Sequence, residues 1–193
     1  ATHYIAQYLK TTSLQTFRVE AFYKKYDDLI KSSFINNQNI ASSNNGFGDA
    51  KGFELFWRDK KTIKNLDYWI SYSYLDTKRD YLNFPAAIQP NFAANHTASV
   101  VMKKFVTKLK TNFNVAYNYA SPRPYYNIQP DPANNGKFVF ADKGKIPDYH
   151  NVSFSLNYLP SIGKKNAKAF AVYVISVSNI FNLKQQYGYN YSY

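Results

Sequence analysis

The sequence predicts an all-β protein, an antiparallel up-and-down transmembrane β-barrel. Three observations lead to this fold class. Apolar and polar residues alternate along most of the chain, aromatic residues make up 19% of it, and short and long connections alternate between the predicted strands. Alternation with a period of two gives a strand two different faces. Strands of about ten residues with one apolar face are typical of barrels that face lipid.

The composition limits the class of protein further. The chain of 193 residues is long enough for one domain, and its mean hydropathy is -0.49. Its apolar runs all fall short of the roughly 18 residues that a membrane-spanning helix needs. Many aromatic residues with a low mean hydropathy fit strands that are apolar on one side. The absence of cysteine excludes disulfides and thiol chemistry, and the first ten residues lack the features of a signal peptide.

The alternation predicts eight consecutive strands, and no segment has the pattern of a helix. Short connections follow every second strand, and the long ones collect most of the proline, asparagine and glycine. In outer-membrane barrels the short turns are periplasmic and the long loops extracellular, whereas the loops of a soluble β-sandwich follow no such rule. The predicted strands are 2–10, 14–29, 49–60, 66–79, 96–105, 108–120, 149–159 and 168–180, and the predicted extracellular loops are about 31–48, 80–95 and 121–148.

The segment 66–76, LDYWISYSYLD, shows the two faces most clearly, because large apolar or aromatic residues share one parity and Ser71 and Ser73 share the other. In a soluble sandwich the apolar face would pack against a second sheet. In a membrane barrel it faces hydrocarbon, with Tyr and Trp near the interfaces. The predicted lipid-facing residues are Tyr68, Ile70, Tyr72, Tyr74, Phe154 and Leu156.

Charged residues within the strands point to the other face. Arg18 and Glu20 alternate with Val19 and Ala21, and charged residues alternate with apolar ones in the same way in the third predicted strand. A basic side chain on a lipid face costs about 2–4 kcal/mol near the midplane. We therefore expect these charges to face the lumen, where they can form an ion-pair ladder across strands. The predicted lumen-facing residues are Arg18, Glu20, Glu54, Arg58, Ser71 and Ser73.

The net charge of +12 comes largely from lysines near the predicted short turns. We expect them to be solvated and attracted to acidic lipid head groups. A nucleic-acid surface would interleave basic and stacking aromatic residues on one face, but here the aromatic residues run along the strands. The sequence thus predicts lipid as a partner and no nucleic acid.

No catalytic or metal-ligating set is evident. His3, His96 and His150 are far apart in sequence, without the close ligand spacings that a metal site of three or four converging ligands requires. The chain also has no glycine-rich phosphate loop and no nucleophile elbow. We expect no enzyme activity, no cofactor and no metal.

The run GDAKGFELFWRDKKTIKNLDYWISYSYLDTKRDYLNFP, residues 48–85, resembles the C-terminal barrel portion of TonB-dependent outer-membrane receptors of the Bacteroidota type. The resemblance implies a bacterial outer-membrane location, a plug domain inside a barrel of twenty-two strands, and import of a scarce nutrient, typically a metal chelate, cobalamin or a saccharide, with energy passed through TonB. Further similar segments are FRVEAFYKKYDDLIK (17–31), ASPRPYYN (120–127), PDYHNVSFSLNYLP (147–160), VISVSNIFN (174–182) and YGYNYS (187–192).

The chain departs from this family pattern because it shows no plug domain, no TonB box and no final strand. The resemblance therefore implies a single barrel segment, residues 1–193, which supplies about eight strands of the wall. Its partners would be the plug, the remaining strands, TonB through the plug, and a surface lipoprotein. The inward charges would then also be candidates for docking the plug.

Substrate recognition, by the same resemblance, would use the extracellular loops. The alternative for each candidate is that it packs one loop onto another. Two other functions stay open: a self-closed eight-stranded outer-membrane barrel with a structural or adhesin role, and a soluble carbohydrate-binding β-sandwich. The candidate ligand-loop residues are Phe84, Phe92, Arg123, Tyr125 and Tyr126.

Overall fold

The computed structural model describes residues 1–35, 39–134, 136–164 and 169–189, and it is built almost entirely from β-strands. A single 3₁₀ turn, Thr107–Leu109, precedes β6. The described part of the chain holds no helix that is long and apolar enough to cross a membrane. The strands are β1 Thr2–Thr11, β2 Gln15–Ile35, β3 Asn39–Asp59, β4 Leu66–Asp80, β5 His96–Val106, β6 Thr111–Ala120, β7 Pro124–Pro130, β8 Phe138–Lys145, β9 Tyr149–Tyr158 and β10 Tyr173–Val177.

One antiparallel sheet contains eight of these strands, in the order β1-β2-β3-β4-β5-β6-β9-β10. Each strand pairs with its neighbour along the chain, except that the hairpin β7–β8 stands between β6 and β9 as a separate two-stranded sheet. The predicted all-β, antiparallel, up-and-down arrangement is confirmed. The short connections all lie at one end of the strands, which we call the turn end of the sheet. We call the opposite end of the strands the loop end.

The first predicted long loop differs in the structure. Most of 31–48 is strand, because β2 and β3 continue as a paired ladder as far as Ile35 and Asn39, and residues 36–38 lie outside the described part. The ladder shifts register between Tyr26 and Lys31. A polar segment with little strand propensity becomes a strand here because its neighbour offers backbone partners, and such context often overrides propensity in sheets.

Two further boundaries change. The predicted third long loop, 121–148, contains the hairpin β7–β8. The predicted last strand, 168–180, is reduced to the five residues of β10, and residue 168 lies outside the described part. Only the second long connection, 81–95, stays irregular, with a bridge between Arg79 and Ile88 at its base.

The sheet is a single layer. The buried apolar side chains of the described part are few, three alanines and the two isoleucines Ile88 and Ile146, and the isoleucines lie outside the eight-stranded sheet. Large apolar side chains on the sheet stay open instead: Ile70 is 43% and Ile175 62% exposed. A soluble β-sandwich needs a second sheet packed over this face. Apart from the eight-stranded sheet, the described residues form only the two-stranded sheet β7–β8. The described residues therefore form no β-sandwich.

The register aligns the two predicted faces across the sheet. Side chains directly opposite each other in a ladder point to the same side. Ile70 of β4 is opposite Trp57 of β3 and Val100 of β5, whereas Ser71 is opposite Phe56 and Ser99. The apolar and polar parities of β4 thus extend to neighbouring strands as continuous rows.

Candidate functional site

Depressions in the surface of the sheet are lined largely by residues of its polar face. A depression of about 390 Å³, the wall pocket, lies over the middle strands. A second of about 430 Å³, the mouth pocket, lies at the loop end, and a third of about 250 Å³ lies over β6, β9 and β10. Ser73, Thr97, Ala120 and Tyr149 line both the wall pocket and the mouth pocket, so these two are continuous.

Small polar side chains line the wall pocket. Ser71 and Ser73 line the wall pocket with Arg18 and Glu54. Across β5 and β6 the lining is held by short hydrogen bonds, such as that from the Ser99 hydroxyl to the Asn118 side-chain oxygen, 2.9 Å. A surface of hydroxyl, amide and charged groups next to open space can bind a polar partner, and it offers no nucleophile paired with a base.

The charges in the wall pocket are placed across strands. Glu20 is directly opposite Glu54 in the ladder, which by itself is unfavourable. Arg18 compensates because its guanidinium donates to a Glu54 carboxylate oxygen at 3.5 Å. The Arg18 Nε is buried without a hydrogen-bond partner among the described residues. The long distance and the unused donor leave this pair capable of further contacts.

A tighter ion pair lies toward the turn end on the same face. The Arg58 Nε and Nη2 donate to the two Asp67 carboxylate oxygens at 2.9 and 2.6 Å. The Arg58 guanidinium also lies 5.5 Å from the Trp69 ring centroid, and the Lys103 ammonium lies 4.9 Å from it. Asp67 was not among the predicted lumen-facing residues, although it shares the parity of Ser71 and Ser73.

We expect Arg58→Lys to destabilise the folded sheet by about 1–2 kcal/mol, because lysine cannot reproduce a bidentate contact. Arg18→Lys is the matched control, since its pair has one long contact and exposed pairs contribute about 0–1 kcal/mol. Urea titration of the heat-modifiable folded form in detergent would measure both. An equal loss in the two variants would contradict the assignment.

The candidates Phe84 and Tyr126 hold two loops together. Their rings meet edge to face with centroids 5.6 Å apart, and Phe140 packs on the other side of Tyr126 at 5.6 Å. The Tyr126 hydroxyl donates to the Gln89 carbonyl oxygen at 3.0 Å. Burial raises the pKa of the Tyr126 phenol, so it stays a neutral donor at ordinary pH. These contacts dock the second long connection onto the hairpin β7–β8.

Tyr126→Ala is expected to separate these loops and to raise the rate of proteolytic cleavage within residues 81–95 several-fold, because the ring packs against both elements. Tyr126→Phe keeps the ring and removes only the hydrogen bond to Gln89, so its effect should be smaller. Limited proteolysis followed by mass spectrometry would locate the cuts. If the Tyr126→Ala variant were cleaved within residues 81–95 at the wild-type rate, Tyr126 would not hold the two loops together.

The other three candidates are placed differently. Phe92 and Arg123 line the mouth pocket, and Phe92 is 59% exposed. Tyr125 instead packs against Tyr189 with ring centroids 4.5 Å apart. The structure thus brings Phe92 and Arg123 to one cavity and leaves Tyr125 outside it.

Two residues of the mouth pocket were missed by the sequence analysis. Tyr149 and Tyr187 both line it, with ring centroids 6.4 Å apart. Tyr149 shares the polar-face parity of Ser153 and Ser155, which was a usable signal. Tyr187 follows β10 in an irregular segment, so no periodic pattern could predict its position.

The predicted lipid-facing residues have the opposite parity to the pocket-lining serines, although Tyr72 also borders the wall pocket and Phe154 borders the depression over β6, β9 and β10. Tyr68, Ile70, Tyr72 and Tyr74 occupy one side of β4. In β9, Phe154 and Leu156 are opposite Val115 and Phe113 of β6.

Comparison with known proteins places this geometry in a family. The sequence model of the family "TonB dependent receptor-like, beta-barrel" matches residues 6–183. The fold is similar to the outer membrane transporter YddB from Escherichia coli, with a TM-score of 0.69 and 13% identity, covering 97% of this chain and 29% of that one. It is also similar to the FrpB iron transporter (F3-3 variant) from Neisseria meningitidis, with a TM-score of 0.66 and 15% identity, covering 94% and 27%.

Comparison with curated protein sequences gave no match. The chain spans less than a third of the length of either solved transporter. The family match, in contrast, covers nearly the whole chain. By sequence and by fold, the chain belongs to the TonB-dependent receptor-like β-barrel family.

Proposed function

We propose that the chain forms part of the barrel wall of a TonB-dependent receptor in a bacterial outer membrane, which imports a scarce nutrient without covalent chemistry of its own. The observation that carries the proposal is the pairing of an uncovered apolar face with a polar face that lines open depressions, on one antiparallel sheet. Outer-membrane barrels have this division, with hydrocarbon outside and a polar lumen inside. The similarity of the segment 48–85 to receptors of the Bacteroidota type makes that group the proposed source.

The orientation follows from the cost of placing each face in lipid. The apolar rows through Ile70 and Phe154 would meet hydrocarbon, and the charged pairs of Arg18 and Arg58 would meet water or protein. Rings with a polar tip border the apolar rows at the loop end, where the hydroxyl of Tyr72 bonds to His96 Nδ1 at 2.8 Å. Such amphipathic rings are favoured at membrane interfaces.

The edges of the sheet support a wall over a self-closed small barrel. β1 and β10 stand at opposite ends of the strand order, with ten residues in β1 and five in β10. Unpaired backbone groups in lipid cost several kcal/mol each. Further strands of the same receptor would satisfy these edges, since this chain covers only 29% and 27% of the two solved transporter chains of similar fold.

The wall pocket suits contact with a plug domain, through which TonB would act. Arg18 and Glu54 keep side-chain exposures of 39% and 40%, so both can exchange their mutual contact for one with a partner. Ser71 and Ser73 leave the space that a partner surface would fill. The ion pair across strands and the docking of a plug are compatible roles.

The mouth pocket is the proposed place of ligand contact. Phe92, Tyr149 and Tyr187 provide apolar rings and Arg123 is a positively charged residue of its lining, a combination that gives large contact area with fixed donors. It suits a metal chelate, cobalamin or a saccharide. A surface lipoprotein would be a further partner at this end.

The experiment begins with the intact mass of the native polypeptide that carries LDYWISYSYLD in outer-membrane extract. A mass several times 22.3 kDa is expected, and a mass near that value would remove the receptor proposal. A strain lacking the gene is then grown on limiting iron chelate, cobalamin or saccharide. Failure on one of these, restored by the gene, identifies the cargo class. Normal growth and uptake on all of them would count against import.

A further inference from the structure

The four short connections of the turn end share a pattern of residues to which the proposed import function assigns no role. Each presents an exposed Leu or Ile side chain, between 39% and 56% exposed. Each such residue has at least one lysine within four positions of it in the sequence. The aliphatic residues are Leu14, Ile63, Leu109 and Ile162.

Most lysines of these connections form no ion pair with a described residue, the exception being Lys60, whose ammonium lies 3.8 Å from an Asp67 carboxylate oxygen. Lys10, Lys61, Lys64 and Lys108 form no ion pair with any described residue. Lys104 and Lys110 use their ammonium groups only on backbone oxygens, those of Lys64 and Pro160, at 2.6 and 3.3 Å. Lys164 also lies in this region, and Lys165 and Lys168 lie outside the described residues.

The two acidic residues near these connections are already satisfied. Asp59 is 1% exposed and accepts hydrogen bonds from the Lys61 and Thr62 amides at 2.6 and 3.0 Å and from the Gln15 side chain at 3.2 Å. Asp67 is held by Arg58. Asp67 also lies 3.8 Å from the Lys60 ammonium, so these two carboxylates offset only part of the positive charge of the connections.

The connections also bond to one another, so they form one continuous surface. The Lys60 amide donates to the Leu14 carbonyl oxygen at 2.9 Å, which joins the first connection to the second. The Lys104 ammonium joins β5 to the second connection, and the Leu159 amide donates to the Lys110 carbonyl oxygen at 2.8 Å. We call this surface the turn-end surface.

The loop end has a different charge pattern. There more carboxylates stand among the lysines and several pair with them, Lys25 with Asp27 at 3.3 Å and Lys51 with Asp76 at 3.4 Å, whereas Lys24 and Lys78 form no ion pair with a described residue. Lys31 forms a further pair with Asp80. A general need for solubility would act on both ends of the sheet alike. The excess of lysine at the turn end therefore favours an anionic partner at that end.

We propose that the turn-end surface docks onto the head groups of anionic phospholipids in the leaflet that it faces, with each aliphatic side chain reaching toward the acyl chains and the lysines pairing with phosphates. This rests on the proposed membrane location. Continuity with the apolar face favours lipid over a soluble partner, because Lys104 lies in register with Leu66 and Phe113 at the end of the apolar rows. Lysines near an anionic leaflet strengthen binding roughly fivefold each.

Native mass spectrometry of the full-length protein, purified in mild detergent, tests this with added phosphatidylglycerol and phosphatidylethanolamine. The combined variant Lys61→Gln, Lys64→Gln and Lys108→Gln should bind phosphatidylglycerol at least about tenfold more weakly, with phosphatidylethanolamine unchanged. The matched control places the same number of changes at the loop end, and it should bind both lipids like the native protein. Its changes are Lys25→Gln, Lys51→Gln and Lys78→Gln.

A second variant, Ile63→Ser with Leu109→Ser, keeps every lysine and should also weaken phosphatidylglycerol binding. Heat-modifiable gel mobility shows that each variant is folded. Equal binding of the two lipids by the native protein, equal loss in both lysine variants, or full binding by the serine variant would overturn the docking proposal. A protein absent from the membrane fraction would instead overturn the proposed function.

Discussion

Replacing Ile70 with lysine is expected to block membrane assembly of the protein. Ile70 lies in the middle of the apolar rows of β4, opposite Trp57 and Val100, and is 43% exposed on that face. A lysine there costs about 2–4 kcal/mol at the bilayer midplane. Tyr72→Lys should be milder, because Tyr72 lies closer to the interface that its bond to His96 marks. The readout is the fraction of heat-modifiable protein in the outer membrane.

Ser71→Lys is the matched control, one residue along the same strand. Ser71 lines the wall pocket on the polar face, where a lysine can stay hydrated. We expect near-normal assembly. If Ile70→Lys and Ser71→Lys assembled equally well, the assignment of the two faces to lipid and lumen would be untenable.

Gly52→Ala is expected to have the second large effect, because β3 passes very close to β4 at this residue. A Cβ at Gly52 would lie 2.0 Å from the Tyr74 carbonyl oxygen and 2.9 Å from the Phe22 ring. The carbonyl belongs to the backbone, so the ladder itself would have to move. We expect a loss of several kcal/mol, at the upper end of single substitutions, measured as the urea midpoint of the folded form.

The matched control is Gly188→Ala, since a Cβ at Gly188 would meet nothing within 4 Å. Its urea midpoint should be unchanged. A Gly52→Ala variant as stable as Gly188→Ala would show that the two strands are less closely spaced at this point than the structure has them.

The predicted strands and their faces agree with the structure wherever a strand carries its own period of two. In the middle of β4, from Ile70 to Tyr74, and of β9, from Asn151 to Leu156, polar and apolar residues alternate, and the register places the alternating residues of neighbouring strands side by side. Such a pattern is local, because each residue's face depends only on its position in the strand. The same pattern predicted that the side chains of Arg18 and Arg58 lie on the polar face, and each forms its ion pair there.

The errors fall where the pattern is weak. The segment 31–48 is rich in Ser, Asn and Gly and was expected to be a loop, yet most of it pairs as β2 and β3. Local propensity cannot show that a partner strand lies alongside. For the same reason, the docking of Phe84 on Tyr126 and the meeting of Tyr149 with Tyr187 were not apparent in the sequence.

The sequence by itself determined the fold class, the order of strands along the wall, and which side chains share a face, because all three depend on periodicity and on the length of connections. Only the tertiary structure decided how far the ladders extend, which loop residues pack together and which line a cavity, and that the lysines of separate turns form one surface. Those properties depend on contacts between residues far apart in the chain, and no local pattern records such contacts.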